Sequence, residues 1–180
     1  MEIRRLIIGA FCLALTSTAA YSMDHEGTSA EASSGFYVGV DGGVAFEEGA
    51  SDPFVGRASL GYREGMFSVE AAYFESAKAR SGGFWAKTRG GDLSLLLRPF
   101  THSVLKHLYV RAGGQYSRLS GGTRYVTISY KGVGWLAGTG FDVPINDQIS
   151  IHAGYIHYGA VGGLKDANTD AVMGGFKLKF

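Results

Sequence analysis

Beyond residue 34, apolar and polar side chains alternate with a period of two. That period puts successive side chains on opposite faces of an extended strand. Eight such segments can be traced. Residues 35–45 set Phe36, Val38, Val40 and Val44 against Tyr37, Asp41 and Gly43, and residues 53–62 set Phe54, Ala58, Leu60 and Tyr62 against Arg57 and Ser59. In 66–74, Phe67, Val69, Ala71 and Tyr73 oppose Ser68 and Glu70; in 89–98, Leu93, Leu95 and Leu97 oppose Asp92, Ser94 and Arg98. Segment 108–117 opposes Leu108, Val110, Ala112 and Tyr116 to Arg111 and Gln115. Segment 130–143 carries Val133, Trp135, Ala137 and Phe141, but its many glycines leave its register open. Segment 148–158 opposes Ile149, Ile151, Ala153 and Tyr155 to Ser150 and His152, and 170–180 ends the chain on Phe176, Leu178 and Phe180.

The two parities differ in kind. One is large and aromatic; the other is Gly, Ser and ions of both signs, a set that fills a narrow interior. This predicts an all-β fold, an eight-stranded antiparallel up-and-down transmembrane barrel with its apolar parity toward lipid. A soluble barrel would carry the opposite arrangement. Aromatics near the strand ends, Phe36, Tyr62, Phe67, Phe141 and Phe180 at one end and Tyr73, Tyr116 and Tyr155 at the other, form the expected girdles. Asp41, Arg57, Glu70, Asp92, Arg98, Arg111, His152 and Lys177 are predicted to point into the lumen. Eight strands enclose just enough room for side chains, so an ion-paired plug is expected, with a narrow gated pore as the alternative.

Short turns are read at 63–65 and 144–147 and a longer one at 99–107, all on the side of the termini. Residues 47–52, 75–88, 118–129 and 159–169 are read as outer loops. Two of these are basic. Lys78, Arg80, Trp85 and Lys87 lie in the second and Arg118 and Arg124 in the third, where they are candidate contacts for lipopolysaccharide phosphates or for sulfated host glycans.

The N-terminus has Arg4 and Arg5, then an apolar run from Leu6 to Leu15, then small residues to Ser22. The run is too short for the roughly 20 residues of a spanning helix, so residues 1–22 read as a signal peptide. Residues 23–34 read as a short periplasmic tail and 35–180 as the barrel domain. Cys12, the only cysteine, lies within the leader. Charged residues are 18% of the chain, below the roughly 25% of soluble domains. The formal charge of +1 argues neither for nor against a nucleic-acid partner, and export makes such a partner unexpected. No phosphate-binding loop or metal-ligand spacing stands out, so no cofactor or metal is expected.

The stretches Ser34 to Gly43, Leu60 to Arg63, Gly138 to Asp147 with Ile149 to Tyr155, and Gly175 to Phe180 resemble the small opacity-type outer-membrane barrels, similar in architecture to the membrane domain of outer-membrane protein A. The resemblance implies a Gram-negative outer-membrane location and a non-enzymatic surface role in envelope integrity, adhesion or host interaction. It also implies Phe176, Leu178 and Phe180 as the C-terminal signal read by the barrel-assembly machinery, and lipopolysaccharide, host glycans or host proteins as partners. Residues 156–165 have a passing likeness to lipid A deacylases, whose His-x-Ser motif supplies the nucleophile. Here Gly159 stands in the serine position after His157, which argues against that activity.

Overall fold

The alternating segments close on themselves. The computed structural model describes residues 34–46, 52–100, 104–123, 125–159 and 168–180. Its strands are β1 (Gly35–Phe46), β2 (Phe54–Glu64), β3 (Phe67–Ser76), β4 (Ala79–Ser81), β5 (Phe84–Leu97), β6 (Leu108–Gly122), β7 (Thr127–Pro144), β8 (Ile149–Tyr158) and β9 (Thr169–Lys179), with a short 3-10 helix at Val104–His107. All neighbours are antiparallel, the order being β3-β2-β1-β9-β8-β7-β6-β5-β4, and β3 also pairs with β5. That last pairing seals the sheet into a barrel. β4 continues β3 past a break at Ala77 and Lys78: Glu75 pairs with Arg89, but Ala79 pairs with Ala86. One extra residue on the β3 side is a bulge, so nine strands form eight staves. The leader and nearly all of the tail, residues 1–33, lie outside the described residues, as do 47–51 and 160–167 of the first and last outer connections.

Two loops expected from sequence are strand instead. Residues 75–88 form a hairpin whose turn is only Gly82–Gly83, both at positive φ (54° and 87°). A two-residue turn of this kind matches the twist of its flanking strands and needs glycine at both positions, so β5 starts at Phe84, five residues ahead of the sequence reading. Residues 118–129 likewise shrink to a connection at 123–126, because the ladder between β6 and β7 runs on to Gly122 and Thr127. β6 and β7 have 15 and 18 residues, whereas a tilted spanning strand needs about 9–11. The surplus lies at the end far from the termini, where the hairpin projects. Connection length alone therefore does not separate the two ends.

The outward parity is apolar. Val40, Leu93, Phe54, Val133 and Phe176 are each at least 60% exposed, and Phe36, Leu60, Phe67, Val69, Leu95, Val110, Trp135 and Ile151 are exposed as well. A belt of this size around a protein is compatible with hydrocarbon and not with water. Phe176, Leu178 and Phe180 belong to it on the terminal side.

The inward parity has two zones, which the sequence reading did not separate. Toward the far end, Ala45, Val55, Phe74, Leu136, Ile156, Tyr158, Ala171 and Met173 pack as an apolar cluster, with the Phe74 and Tyr158 rings 4.9 Å apart. Toward the termini the inward side chains are ionic. A wholly wet or ion-paired centre is thus corrected: the far part of the lumen is packed mainly with apolar side chains, beside uncharged Ser76, Gln115 and Ser117. The order repeats on five staves, Asp41 before Ala45, Glu70 before Phe74, His152 before Ile156, and, on strands running the other way, Val55 before Arg57 and Met173 before Lys177; β5 inverts it with Asp92 before Leu96, and the far part of β6 carries Gln115 and Ser117.

Candidate functional site

The ionic zone draws on every stave. Asp41 comes from β1, Arg57 from β2, Glu70 from β3, Asp92 from β5, Arg98 from the residue after β5, Arg111 from β6, Asp142 from β7, His152 from β8 and Lys177 from β9, and all nine are buried. Arg57 is one hub. Its guanidinium lies 2.8 Å from Glu70 Oε1, donates to both Asp92 oxygens at 2.9 and 3.2 Å, and donates to Asp41 Oδ2 at 3.4 Å. Glu70 is the other: it accepts from Arg111 at 2.7 Å and from the Tyr37 hydroxyl at 2.8 Å, with Lys177 Nζ 3.8 Å away. Asp142 accepts from Arg98 at 3.0 Å and lies 3.6 Å from Lys177, while Arg98 also donates to Ser68 at 2.7 Å. His152 Nε2 contacts Asp41. Tyr109 sits among Arg98, Arg111 and Lys177, its ring centre 5.3–5.9 Å from their charged groups.

Four carboxylates thus meet four permanent cations inside one closed cylinder. Breaking a buried pair by removing one partner leaves an uncompensated ion and costs about 3–5 kcal/mol. Fully paired, the same groups tie all eight staves together. The structure brings the eight ions read from sequence into this one network and adds Asp142, which fell in the glycine-rich segment whose register was left open. Its signal was present in the alternation: with Phe141 and Val143 on the apolar parity, Asp142 has to point in.

The basic side chains read as loop contacts are a different case. Arg80, Trp85, Lys87 and Arg118 lie on β4, β5 and β6, Lys78 lies in the bulge, and Arg124 is outside the described residues. The hairpin built by Gly82 and Gly83 and the long β6–β7 ladder turned those loops into strand. Lys78 Nζ stands 4.8 Å over the Trp85 ring, and Lys87 pairs with Glu75. Arg118 Nε donates to Ser129 Oγ at 3.0 Å.

At the far rim, Asp170 Oδ1 accepts from the Tyr155 hydroxyl at 2.5 Å and lies 2.6 Å from His157 Nδ1. Gly159, two residues on, lies under the Trp135 indole, where a Cβ would overlap the ring nitrogen. Glycine here answers to packing, and the position has no hydroxyl for His157 to activate. Among the described residues, no group of three His, Cys, Asp or Glu is placed to hold a metal ion.

A closed eight-stranded antiparallel cylinder with ions inside and an apolar belt outside is the outer-membrane β-barrel class. No family model and no curated protein matches the chain. Among solved structures, the Neisserial surface protein A is similar over 81% of this chain and 97% of its own, at 22% identity and a TM-score of 0.67. The N-terminal β-barrel domain of Pseudomonas aeruginosa OprF matches over 82% and 100%, at 12% identity and 0.58. Ail, the attachment invasion locus protein of Yersinia pestis, matches over 82% and 97%, at 16% and 0.53, and a structure of Ail in complex with the heparin analogue sucrose octasulfate matches at 14% and 0.51. These likenesses establish the fold, the one implied by the resemblance to opacity-type and outer-membrane protein A-like barrels.

Proposed function

We propose that this chain is a sealed, non-catalytic surface barrel that meets its partners outside the cell through the projecting β4–β5 and β6–β7 hairpins. The far end faces outward in this reading, because an even strand count keeps both termini on the side from which an exported chain inserts. The observation that carries it is the division of labour along the barrel axis. The apolar zone around Phe74, Leu136 and Tyr158 sets a hydrophobic layer inside the lumen, which disfavours ion passage, while β6 and β7 extend past the belt and expose Tyr125, Val126, Ile128 and Tyr130. A device that spends its longest strands beyond the membrane and fills its own lumen favours contact over transport.

Sulfated glycans are the partner class best matched by Lys78 and Arg80, which approach the hairpin turn on the side of Trp85. The heparin analogue bound by Ail supports the same chemistry. Lipopolysaccharide and the barrel-assembly machinery are further partners in this reading, the latter through Phe176, Leu178 and Phe180. Retention of the folded protein on heparin is the test. Elution is expected at lower salt once Lys78→Gln and Arg80→Gln are combined; an unchanged elution position contradicts the glycan assignment.

A further inference from the structure

On the outside of the barrel, the next outward position above the apolar belt is charged on four adjacent staves. Strand pairing sets Glu75 beside Arg89, Arg89 beside Arg118, and Arg118 beside Lys131. The row beneath is Gly91, Tyr116 and Val133, the last two exposed; the row above is Lys87, Ser120 and Ser129. Neighbouring strands lie about 4.8 Å apart, so the three cations Arg89, Arg118 and Lys131 span roughly 10 Å. Like charges placed directly across a ladder repel. Glu75, the carboxylate of that row, is engaged by Lys87, and no ion pair among the described residues includes Arg89, Arg118 or Lys131.

The opposite flank is built differently. There the outward positions at the far ends of β8, β9 and β1 place His157 beside Asp170 and Asp170 beside Phe46, and Asp170 is held by Tyr155 and His157. Among the described residues, the cations at the far edge of the apolar belt gather on the β5–β7 flank.

We infer that Arg89, Arg118 and Lys131 form a lateral seat for the phosphate groups of a phosphorylated glycolipid of the surrounding leaflet. The three tiers follow the order of such a lipid: acyl chains lie along Tyr116 and Val133, phosphates meet the cation row, and sugar hydroxyls reach Ser120, Ser129 and Lys87. Gly91 leaves a gap in the apolar row beside Tyr116, where a chain can descend. Arginine forks bind phosphate oxygens in pairs, and a lipid-side anion removes the repulsion that the row otherwise carries. This surface is distinct from the glycan contact proposed for Lys78 and Arg80, but it rests on the same outward assignment of the far end.

The probe is bis-phosphorylated lipid A, added to the folded protein in neutral detergent and counted by native mass spectrometry against phosphate-free lipid A and phosphatidylglycerol. Wild type is expected to hold the bis-phosphorylated form about tenfold more tightly than the phosphate-free one. Arg89→Gln, Arg118→Gln and Lys131→Gln combined should abolish that preference while heat-modifiable migration and heparin retention persist. Lys106→Gln, at the terminal end, should change nothing, and Arg118→Lys should keep most of the preference. Should the triple variant fail to fold, Arg118→Gln alone is expected to lower the preference severalfold. Undiminished lipid A binding by the folded variants, or indifference of wild type to the phosphates, overturns the inference. A preference for phosphatidylglycerol overturns it too, by placing the row in the other leaflet; failure of wild type to be retained on heparin, with its lipid A preference intact, would strike only the glycan reading.

Discussion

The two halves of the lumen solve one problem by opposite means. Near the termini, nine polar groups from eight staves are cross-linked by charge, and each depends on the others for its solvation. Near the far end, Phe74, Leu136, Ile156, Tyr158 and Met173 fill the same cylinder mainly by packing, with Ser76, Gln115 and Ser117 the uncharged polar groups among them. The ionic half holds register, since a slip of one residue would turn every ion into lipid. The apolar half excludes water and so blocks passage. The difference teaches that a barrel this narrow can be closed twice, and that the two closures should fail differently.

The largest effect is expected in the ionic half. Glu70→Gln removes the carboxylate shared by Arg57, Arg111, Tyr37 and Lys177 and should cost about 3–5 kcal/mol in urea unfolding from liposomes. A loss below about 1 kcal/mol would mean that the network is not what ties the staves together. Phe74→Ala should cost somewhat less, about 3 kcal/mol, through the cavity it leaves beside Tyr158. In planar bilayers the same variant should show brief conductance events that wild type lacks; equal silence would place the seal elsewhere. Val40→Arg, near the middle of the outward belt on β1, should cost about 2–4 kcal/mol, as a cation facing hydrocarbon does. Gly159→Ser should cost about 1–3 kcal/mol by pressing on Trp135, with no deacylation of lipid A in mass analysis. Ile128→Arg, on the projecting part of β7, should change stability by less than about 0.5 kcal/mol. If Val40→Arg were equally silent, the belt would not face lipid.

Parity made most of the fold legible. Each strand with a clean alternation, such as β2 or β3, declares which side chains face oil, and Arg57 and Glu70 follow as interior ions. The apolar zone was written in the same alternation, because Phe74, Ile156 and Met173 share a parity with Glu70, His152 and Lys177. Reading the inward parity as Gly, Ser and ions passes over the apolar residues, Phe74 and Ile156 among them, that share it. Asp142 escaped because glycine-rich β7 carries little register information of its own and takes it from β6 and β8. The loop boundaries failed for a local reason. Lys78 to Lys87 is polar and reads as loop, but Gly82–Gly83 is a hairpin turn, and recognising it would have put Trp85 and Lys87 on a strand. The cation row is assembled from three staves, β5, β6 and β7, which no single segment reveals.

The account stands on the outward belt meeting acyl chains around a closed lumen. Cys12 is the one cysteine in the sequence, so single cysteines can be placed in a Cys12→Ser background. Spin labels at Val40→Cys, Leu93→Cys and Val110→Cys in liposomes should collide more with dissolved oxygen than with a water-soluble nickel chelate, as lipid-exposed sites do. Nickel collisions exceeding oxygen collisions at all three positions would show the belt in water and contradict the account.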